Sequence, residues 1–307
     1  MNDIVSNFPS ILIVGMNGFI GRRLYNHFSS LVWKTLGTSH IHDSGPSFHF
    51  DLYRPDFTWF ERIGRKLDYA VICSAMSNIE QCKKEPSAYE FNVINTIALI
   101  DHLYHYDIIP VFLSSNMVFK GTNQYYHEEE GRYPTTTYGL QKREVEDYLL
   151  DSRRPSLILR LCKVIGVEFQ DGTLLTEYLD YLSIGHDIIC ARDQYLSFTY
   201  IGDLIRAMQI LMEAKACGIF HISSIETFTR LELAIRVARF FNLDLRHIVP
   251  CLIDDFDFSE PRPKYNSLDT TKIIGMYEFE FTNLHDCLSL ITMNDLNTHP
   301  IKQAINF

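Results

Sequence analysis

The sequence is short of positive charge: 28 Lys and Arg stand against 38 Asp and Glu, a formal charge of −10. Nucleic-acid affinity rests on clustered cations that displace phosphate counterions, so a general nucleic-acid binder is excluded. Long apolar runs are missing as well. No stretch approaches the ~18 apolar residues of a membrane span, and MNDIVSNFPS at the start lacks the basic and apolar regions of a signal peptide. The chain is therefore expected in the cytoplasm, with no membrane partner. Seven cysteines, at 73, 82, 162, 190, 217, 251 and 287, are scattered and odd in number, and no two form a Cys-x-x-Cys pair. Neither a disulfide framework nor a zinc site is expected, and the thiols read as reduced. HEEEG at 127–131 could be taken for a metal cluster, but it reads as a solvated acidic loop. No metal is expected.

What is present is an ordinary globular composition, 46% hydrophobic and 21% charged over 307 residues. Residues 11–14 are wholly apolar, three glycines follow, and Arg22, Arg23, Leu24, Tyr25 and Phe28 then have helical spacing. Further candidate strands lie at 32–37, 48–52, 69–75, 108–115 and 156–166, with a helical stretch over 88–106. Continuously apolar strands separated by helices are what a parallel sheet covered on both faces requires. The fold expected is a doubly wound α/β Rossmann sheet with a smaller interwoven C-terminal lobe. Residues 1–166 are expected to bind a dinucleotide and residues 167–307 mainly to bind substrate. Beyond 166 the pattern loosens, with a strand at 218–224 and an amphipathic helix over 230–242.

Three constellations carry chemistry. In GMNGFIG, the glycines at 15, 18 and 21 allow a tight turn, a close approach of backbone to a pyrophosphate, and a helix that starts near the strand. A packing turn without ligand would read the same way. In TTTYGLQKREVEDYL, Tyr138 and Lys142 are four residues apart, on one face of a helix that begins after Pro134. An ammonium beside a phenol favours the phenolate and is expected to bring its pKa toward the working range, which suits proton exchange with a carbonyl or alcohol. The spacing alone arises readily by coincidence, and a solvated helix face is the plain alternative. Third, Ser114 and Ser115 end the apolar run 108–115, and ligands of a parallel sheet sit at the carboxyl ends of its strands. The order of glycine turn, strand-end serine and Tyr-x-x-x-Lys is more specific than any of its parts.

With these stretches, and with LDYAVICSAMSNIEQCKKEPSAYEFNVINT, LSSNMVFKGTNQYYHEEEGRYPTTTYGLQKREVE, LILRLCKVIG, FTYIGDLIRAM, GIFHISS and EPRPKYNSLDTTKI, the chain resembles the extended short-chain dehydrogenase/reductase superfamily. Within it, the likeness is to the RmlD-like, dTDP-4-dehydrorhamnose reductase group. The resemblance implies that Tyr138 donates a proton to a ketone oxygen, that Lys142 lowers its pKa and holds the nicotinamide ribose, and that Ser115 hydrogen-bonds the substrate carbonyl. It also implies a cofactor site formed by Gly15, Asn17, Gly18, Phe19, Ile20, Gly21, Arg22, Ser39, His40, Asp51, Leu52, Ser74, Ala75, Met76, Asn92, Tyr138, Lys142 and Cys162. Ser77, Asn116, Met117, Val118, Lys163, Arg192 and Arg262 would face the substrate, with Arg262 stiffened between two prolines to take a phosphate.

There are departures. The group often reads Ser-Thr-Asp-Tyr-Val-Phe where this chain has SSNMVF, and RLCKVIG places Lys163 at an unusual site. LGTSHIH carries no acid to bind a ribose 2′-OH and Arg22 follows the glycine turn, so NADP(H) is expected over NAD(H). The activity implied is NADPH-dependent reduction of a keto group, at C4, on a nucleotide-activated deoxysugar of the kind used in polysaccharide biosynthesis. Two rivals stay open: a non-catalytic regulatory subunit of the methionine adenosyltransferase β type, and an epimerase or dehydratase that keeps NAD bound. The reading allows a homodimer.

Overall fold

The computed structural model describes residues 8–31, 33–41, 47–63 and 67–295. Val32, where the second strand is expected to begin, and the segment 1–7 lie outside them. The chain forms two compact units, the first made of Met1–Val118, Arg132–Arg160 and Ile205–Phe220, the second of Phe119–Gly131, Leu161–Leu204 and His221–Phe307. The chain thus passes between the units several times.

The first unit is built on a seven-stranded sheet. Its strands are β1 (Ser10–Val14), β2 (Lys34–Ser39), β3 (Ser47–His49), β4 (Tyr69–Ile72), β5 (Ile109–Ser115) and β6 (Leu157–Leu161), together with the strand Gly218–Ile222. Across the sheet the order runs from Gly218–Ile222 through β6, β5, β4 and β1 to β2 and β3. The β1–β2, β1–β4, β2–β3 and β4–β5 pairings are all parallel. Every residue of β1 is buried, as a strand covered on both faces must be. Because β1 lies between β2 and β4, chain order reverses beside it, which is where doubly wound sheets open a crevice at their strand ends.

Among the described residues, helices of the first unit include α1 (Phe19–Ser30), α2 (Phe60–Ile63), α3 (Ile79–Lys84), α4 (Ser87–Tyr89), α5 (Asn95–His105) and α6 (Thr137–Asp151), with most of the later helix Ile201–Glu213. Gly21, Leu24 and Phe28 give α1 its buried stripe at helical spacing. Val145 and Leu149 of α6 join Leu99, Ile100 and Leu103 of α5 in one core with Leu12, Ile72 and Phe112 of the sheet. The helix expected over 88–106 is not continuous: a π-helical turn, Glu90–Ile94, separates α4 from α5. One residue is thereby added to the turn, and Asn92 is carried into the interior.

In the second unit, Leu175 and Leu179 of the helix Leu174–Ser183, Leu233 and Val237 of Arg230–Phe240, and Leu288 and Ile291 of Leu284–Asp295 form a core of their own. The strand expected over 156–166 breaks at Cys162, whose amide donates to Thr199 Oγ1 at 3.0 Å. Lys163–Ile165 then pairs in parallel with Phe198–Tyr200, in a sheet separate from β6. The acidic loop also differs from expectation. Glu128 is buried and accepts the His221 amide at 3.1 Å, and burial pushes its carboxyl above the usual range. All seven cysteines are free thiols.

Candidate functional site

Directly after β1 the chain turns through Gly15, whose φ of +84° lies in the left-handed region that favours glycine. A Cβ there would stand 2.3 Å from Ser74 Oγ. A Cβ on Gly21 would stand 2.2 Å from the Gly15 carbonyl oxygen, so only glycine lets α1 start this close to the strand. Gly18 is different, with nothing nearer than 3.6 Å. Thr38 ties the turn to β2: its hydroxyl accepts the Gly15 amide at 3.2 Å and its carbonyl the Met16 amide at 2.9 Å.

Asn17 and Gly18 are exposed, no side chain caps α1 at Gly18, and its first turn carries no acid. First-turn N–H groups without a side-chain cap, at the positive end of a helix dipole, fit the pyrophosphate of a dinucleotide. Arg22 and His40 are exposed on the same unit. Ser39 is buried, and its hydroxyl accepts Asn17 Nδ2 at 2.6 Å and the Ile41 amide at 3.0 Å, so it shapes the end of β2. Phe19 carries the Arg23 guanidinium 3.9 Å over its ring, and Ile20 is half-buried. Asp51 caps its own turn through the Tyr53 amide, and the Leu52 carbonyl accepts Asn95 Nδ2 at 2.8 Å. Ser74, Ala75 and Met76, half-buried, and Ser77, exposed, follow β4.

Ser115 closes β5 and is buried. Its hydroxyl donates to Asn116 Oδ1 and accepts the Met117 amide, both at 3.2 Å, and it lies close enough to the Tyr138 phenol to hold its pKa down. Tyr138 opens α6, whose N-cap Thr136 accepts the Gly139 amide at 3.1 Å. One turn on, Lys142 is buried, with Nζ donating to the Leu113 carbonyl at 2.8 Å. That nitrogen lies 4.6 Å over the Phe112 ring and 5.8 Å from the centre of the Tyr138 ring. Ser115, Tyr138 and Lys142 thus meet at the end of β5.

The electrostatics correct one expectation. Burial pushes the Tyr138 phenol up, the nearby Cys82 pushes it further, and only the Ser115 hydrogen bond pulls it down. Burial also lowers Lys142 to about 8, against Cys82, Glu146 and Cys73, which raise it. Desolvation dominates and the Lys142 ammonium is not among the groups that shift the phenol, which stays protonated at neutral pH. A protonated phenol beside a hydroxyl is a proton donor in place.

Two more expectations change. Val118 is fully buried and offers no surface to a ligand. Asn92 spends its amide internally, accepting the Met76 amide at 2.9 Å while Nδ2 donates to the Met76 carbonyl at 2.9 Å and to Gln141 Oε1 at 2.7 Å. It links the loop after β4 to α6. Asn116 is buried and Met117 half-buried beside Ser115.

Sequence reasoning passed over Gly139, where a Cβ would stand 2.1 Å from the Met117 carbonyl oxygen, and the glycine beside Tyr138 was the available signal. Of the residues expected in the second unit, Cys162 is buried with Sγ donating to the Asn266 carbonyl at 3.6 Å, and Lys163 and Arg192 are exposed. Arg262 lies 4.6 Å over the Phe258 ring. Lys264 bridges Asp193 at 2.8 Å and Asp254 at 2.9 Å.

A model of the RmlD substrate binding domain matches residues 9–294. Over 287 residues the chain is 26% identical to the methionine adenosyltransferase 2 subunit beta of Mus musculus, covering 87% of this chain and 83% of that protein. It is 25% identical over 266 residues to the spore coat polysaccharide biosynthesis protein SpsK of Bacillus subtilis (strain 168), covering 84% and 88%. A dTDP-4-dehydrorhamnose reductase from Bacillus anthracis str. Ames, solved in complex with NADP, superposes with a TM-score of 0.82 at 18% identity, over 94% of this chain and 100% of that one.

Proposed function

The chain belongs to the RmlD substrate binding domain family, and from that premise we propose that it reduces a keto group, at C4, on a nucleotide-activated deoxysugar with NADPH. The observation that carries the proposal is the meeting of Ser115, Tyr138 and Lys142 at the end of β5, in the same unit as a glycine turn suited to a pyrophosphate. Gly15, Asn17 and Gly18 would hold the pyrophosphate, and Arg22 and His40 a 2′-phosphate. A reduced nicotinamide dinucleotide, when bound, supplies the two electrons and one hydrogen that the carbonyl carbon gains.

The chain's own residues do the rest. Ser115 donates a hydrogen bond to the carbonyl oxygen and polarises it. The Tyr138 phenol, kept protonated by burial, delivers the proton that turns that oxygen into a hydroxyl. Lys142, anchored on the Leu113 carbonyl, places positive charge one helical turn from the phenolate as it forms. Lys163, Arg192 and Arg262 are the proposed contacts to the nucleotide part of the substrate.

Tyr138→Phe removes the proton and leaves the fold's shape. Turnover of 4-keto nucleotide sugars, followed by loss of NADPH absorbance, is expected to fall nearly to nothing while NADPH still binds. Unchanged turnover sinks the assignment. The likeness to methionine adenosyltransferase 2 subunit beta favours a second reading, a non-catalytic subunit of a larger enzyme. A wild-type chain that oxidises no NADPH with any such sugar, yet forms a stable complex with a methionine adenosyltransferase catalytic subunit, decides for that reading.

A further inference from the structure

Tyr138, Lys142 and Glu146 follow one another at four-residue spacing on α6 and so share one stripe of the helix. Glu146 is 0% exposed, and a carboxylate in that position must be compensated by its neighbours. Its compensation comes from three places in the first unit. Ser114 of β5 donates its hydroxyl to Oε1 at 2.5 Å. Arg160 of β6, itself 0% exposed, donates Nε to Oε1 at 3.0 Å and Nη2 to Oε2 at 2.8 Å. Arg132, ahead of the helix, donates Nη1 to Oε2 at 2.9 Å and reaches Asp147 with Nη2 at 2.7 Å.

One carboxylate therefore ties α6 to the carboxyl ends of two adjacent strands. The point of attachment on β5 is the residue immediately before Ser115, and the point on the helix is one turn from Lys142 and two from Tyr138. Fork geometry at Arg160 fixes the carboxylate plane, so the rotation of α6 about its own axis is set against β5. A helix free to rotate by a few degrees would carry the Tyr138 hydroxyl away from the Ser115 hydroxyl that holds its pKa down.

We propose that Glu146 is a positioning residue for the reduction: through Ser114 and Arg160 it holds α6 in the rotation that brings the Tyr138 phenol to the Ser115 hydroxyl. The proposal rests on the reductase reading above, and the bland alternative is that Glu146 only compensates the Arg160 charge. Glu146→Gln strands that buried charge and is liable not to fold, so Ser114 carries the test. Ser114→Ala removes one hydrogen bond and leaves both guanidinium groups paired with Glu146, while Ser114→Thr restores the hydroxyl.

In the full-length chain, Ser114→Ala is expected to lower kcat about tenfold, part of the ~100-fold that a 1 Å misplacement can cost. The KM for NADPH is expected to stay within about twofold, and Ser114→Thr to recover most of kcat. Hydrogen exchange is expected to quicken at 115–118 and 137–140 and to stay unchanged in β1 and α1. A turning-over Ser114→Ala enzyme with wild-type kcat overturns the proposal, as does an exchange change that is absent or spread evenly over the first unit. Should the wild-type chain reduce no nucleotide sugar, the reductase reading falls, and the exchange pattern alone decides whether Glu146 positions Tyr138.

Discussion

Gly139→Ala is expected to uncouple activity from stability. The new Cβ would meet the Met117 carbonyl oxygen at 2.1 Å, its carbon at 2.9 Å and Pro134 Cβ at 3.0 Å. Real Cβ contacts essentially never fall below 3.0 Å, so α6 and the turn after β5 must separate by about 1 Å, and the obstacle is backbone that no rotamer change removes. For stability the effects oppose one another. Overpacking costs about 1–3 kcal/mol, while exchanging glycine for alanine in a helix returns about 1 kcal/mol. The net loss is about 0–2 kcal/mol, a fall in Tm on the order of 0–8 °C for a unit of roughly 150–250 residues. For activity nothing offsets the displacement, since Tyr138 is the neighbouring residue and its partner Ser115 lies on the element being pushed away. A ~1 Å misplacement of a proton donor costs about 100-fold in kcat. Steady-state NADPH oxidation at saturating substrate measures kcat, and thermal unfolding measures Tm. Gly275→Ala is the control: nothing lies within 4 Å of its Cβ, inside the helix Thr271–Tyr277, so activity should be intact and Tm equal or higher. A Gly139→Ala enzyme within about twofold of wild-type kcat would refute the reasoning.

Two further outcomes follow from the same geometry. Gly21→Ala must force α1 off the Gly15 carbonyl and should cost about 1–3 kcal/mol and most of the dinucleotide affinity, whereas Gly18→Ala, with 3.6 Å of clearance, should cost less than about 1 kcal/mol; paired Tm and NADPH-fluorescence titrations compare them, and equal losses contradict the account. Lys142 is lowered to about 8 in the folded chain from an ordinary 10.5, so folding disfavours its charged form. That penalty is fully present below pH ~8 and is relieved as pH rises toward ~10.5, where the unfolded chain loses its proton too. Lys142→Met should therefore be at least as stable as wild type at pH 7, with the difference shrinking as pH rises above ~8 in denaturant titrations. A difference that widens with pH reverses the assignment.

Much of the site was legible because its signals are local. Glycines three apart after an apolar run, a strand-end serine and Tyr-x-x-x-Lys each state a backbone geometry or a helix face, and β1, β5 and α6 formed where those signals stood. What failed were inferences that needed to know the surroundings. Residues 156–166 read as one strand because apolar content does not show that Cys162 turns its amide to Thr199. A smooth helix over 88–106 hid the π-helical turn, since hydrophobic spacing is blind to one added residue. Glu128 looked solvated because charge alone carries no burial.

By itself, then, the amino-acid order determined the order of strands and helices, the glycine turn, and which residue types would be offered at the end of β5, all of which depend on neighbours a few positions apart. Only tertiary structure decided what those residues are. It raised the pKa of the half-buried Tyr138 phenol through desolvation, left Asn92 a strut between Met76 and Gln141, and made Glu146 the joint between α6 and two strands. Burial and hydrogen-bond partners come from residues far apart in the chain, and it is desolvation, which sequence spacing does not show, that raises the phenol.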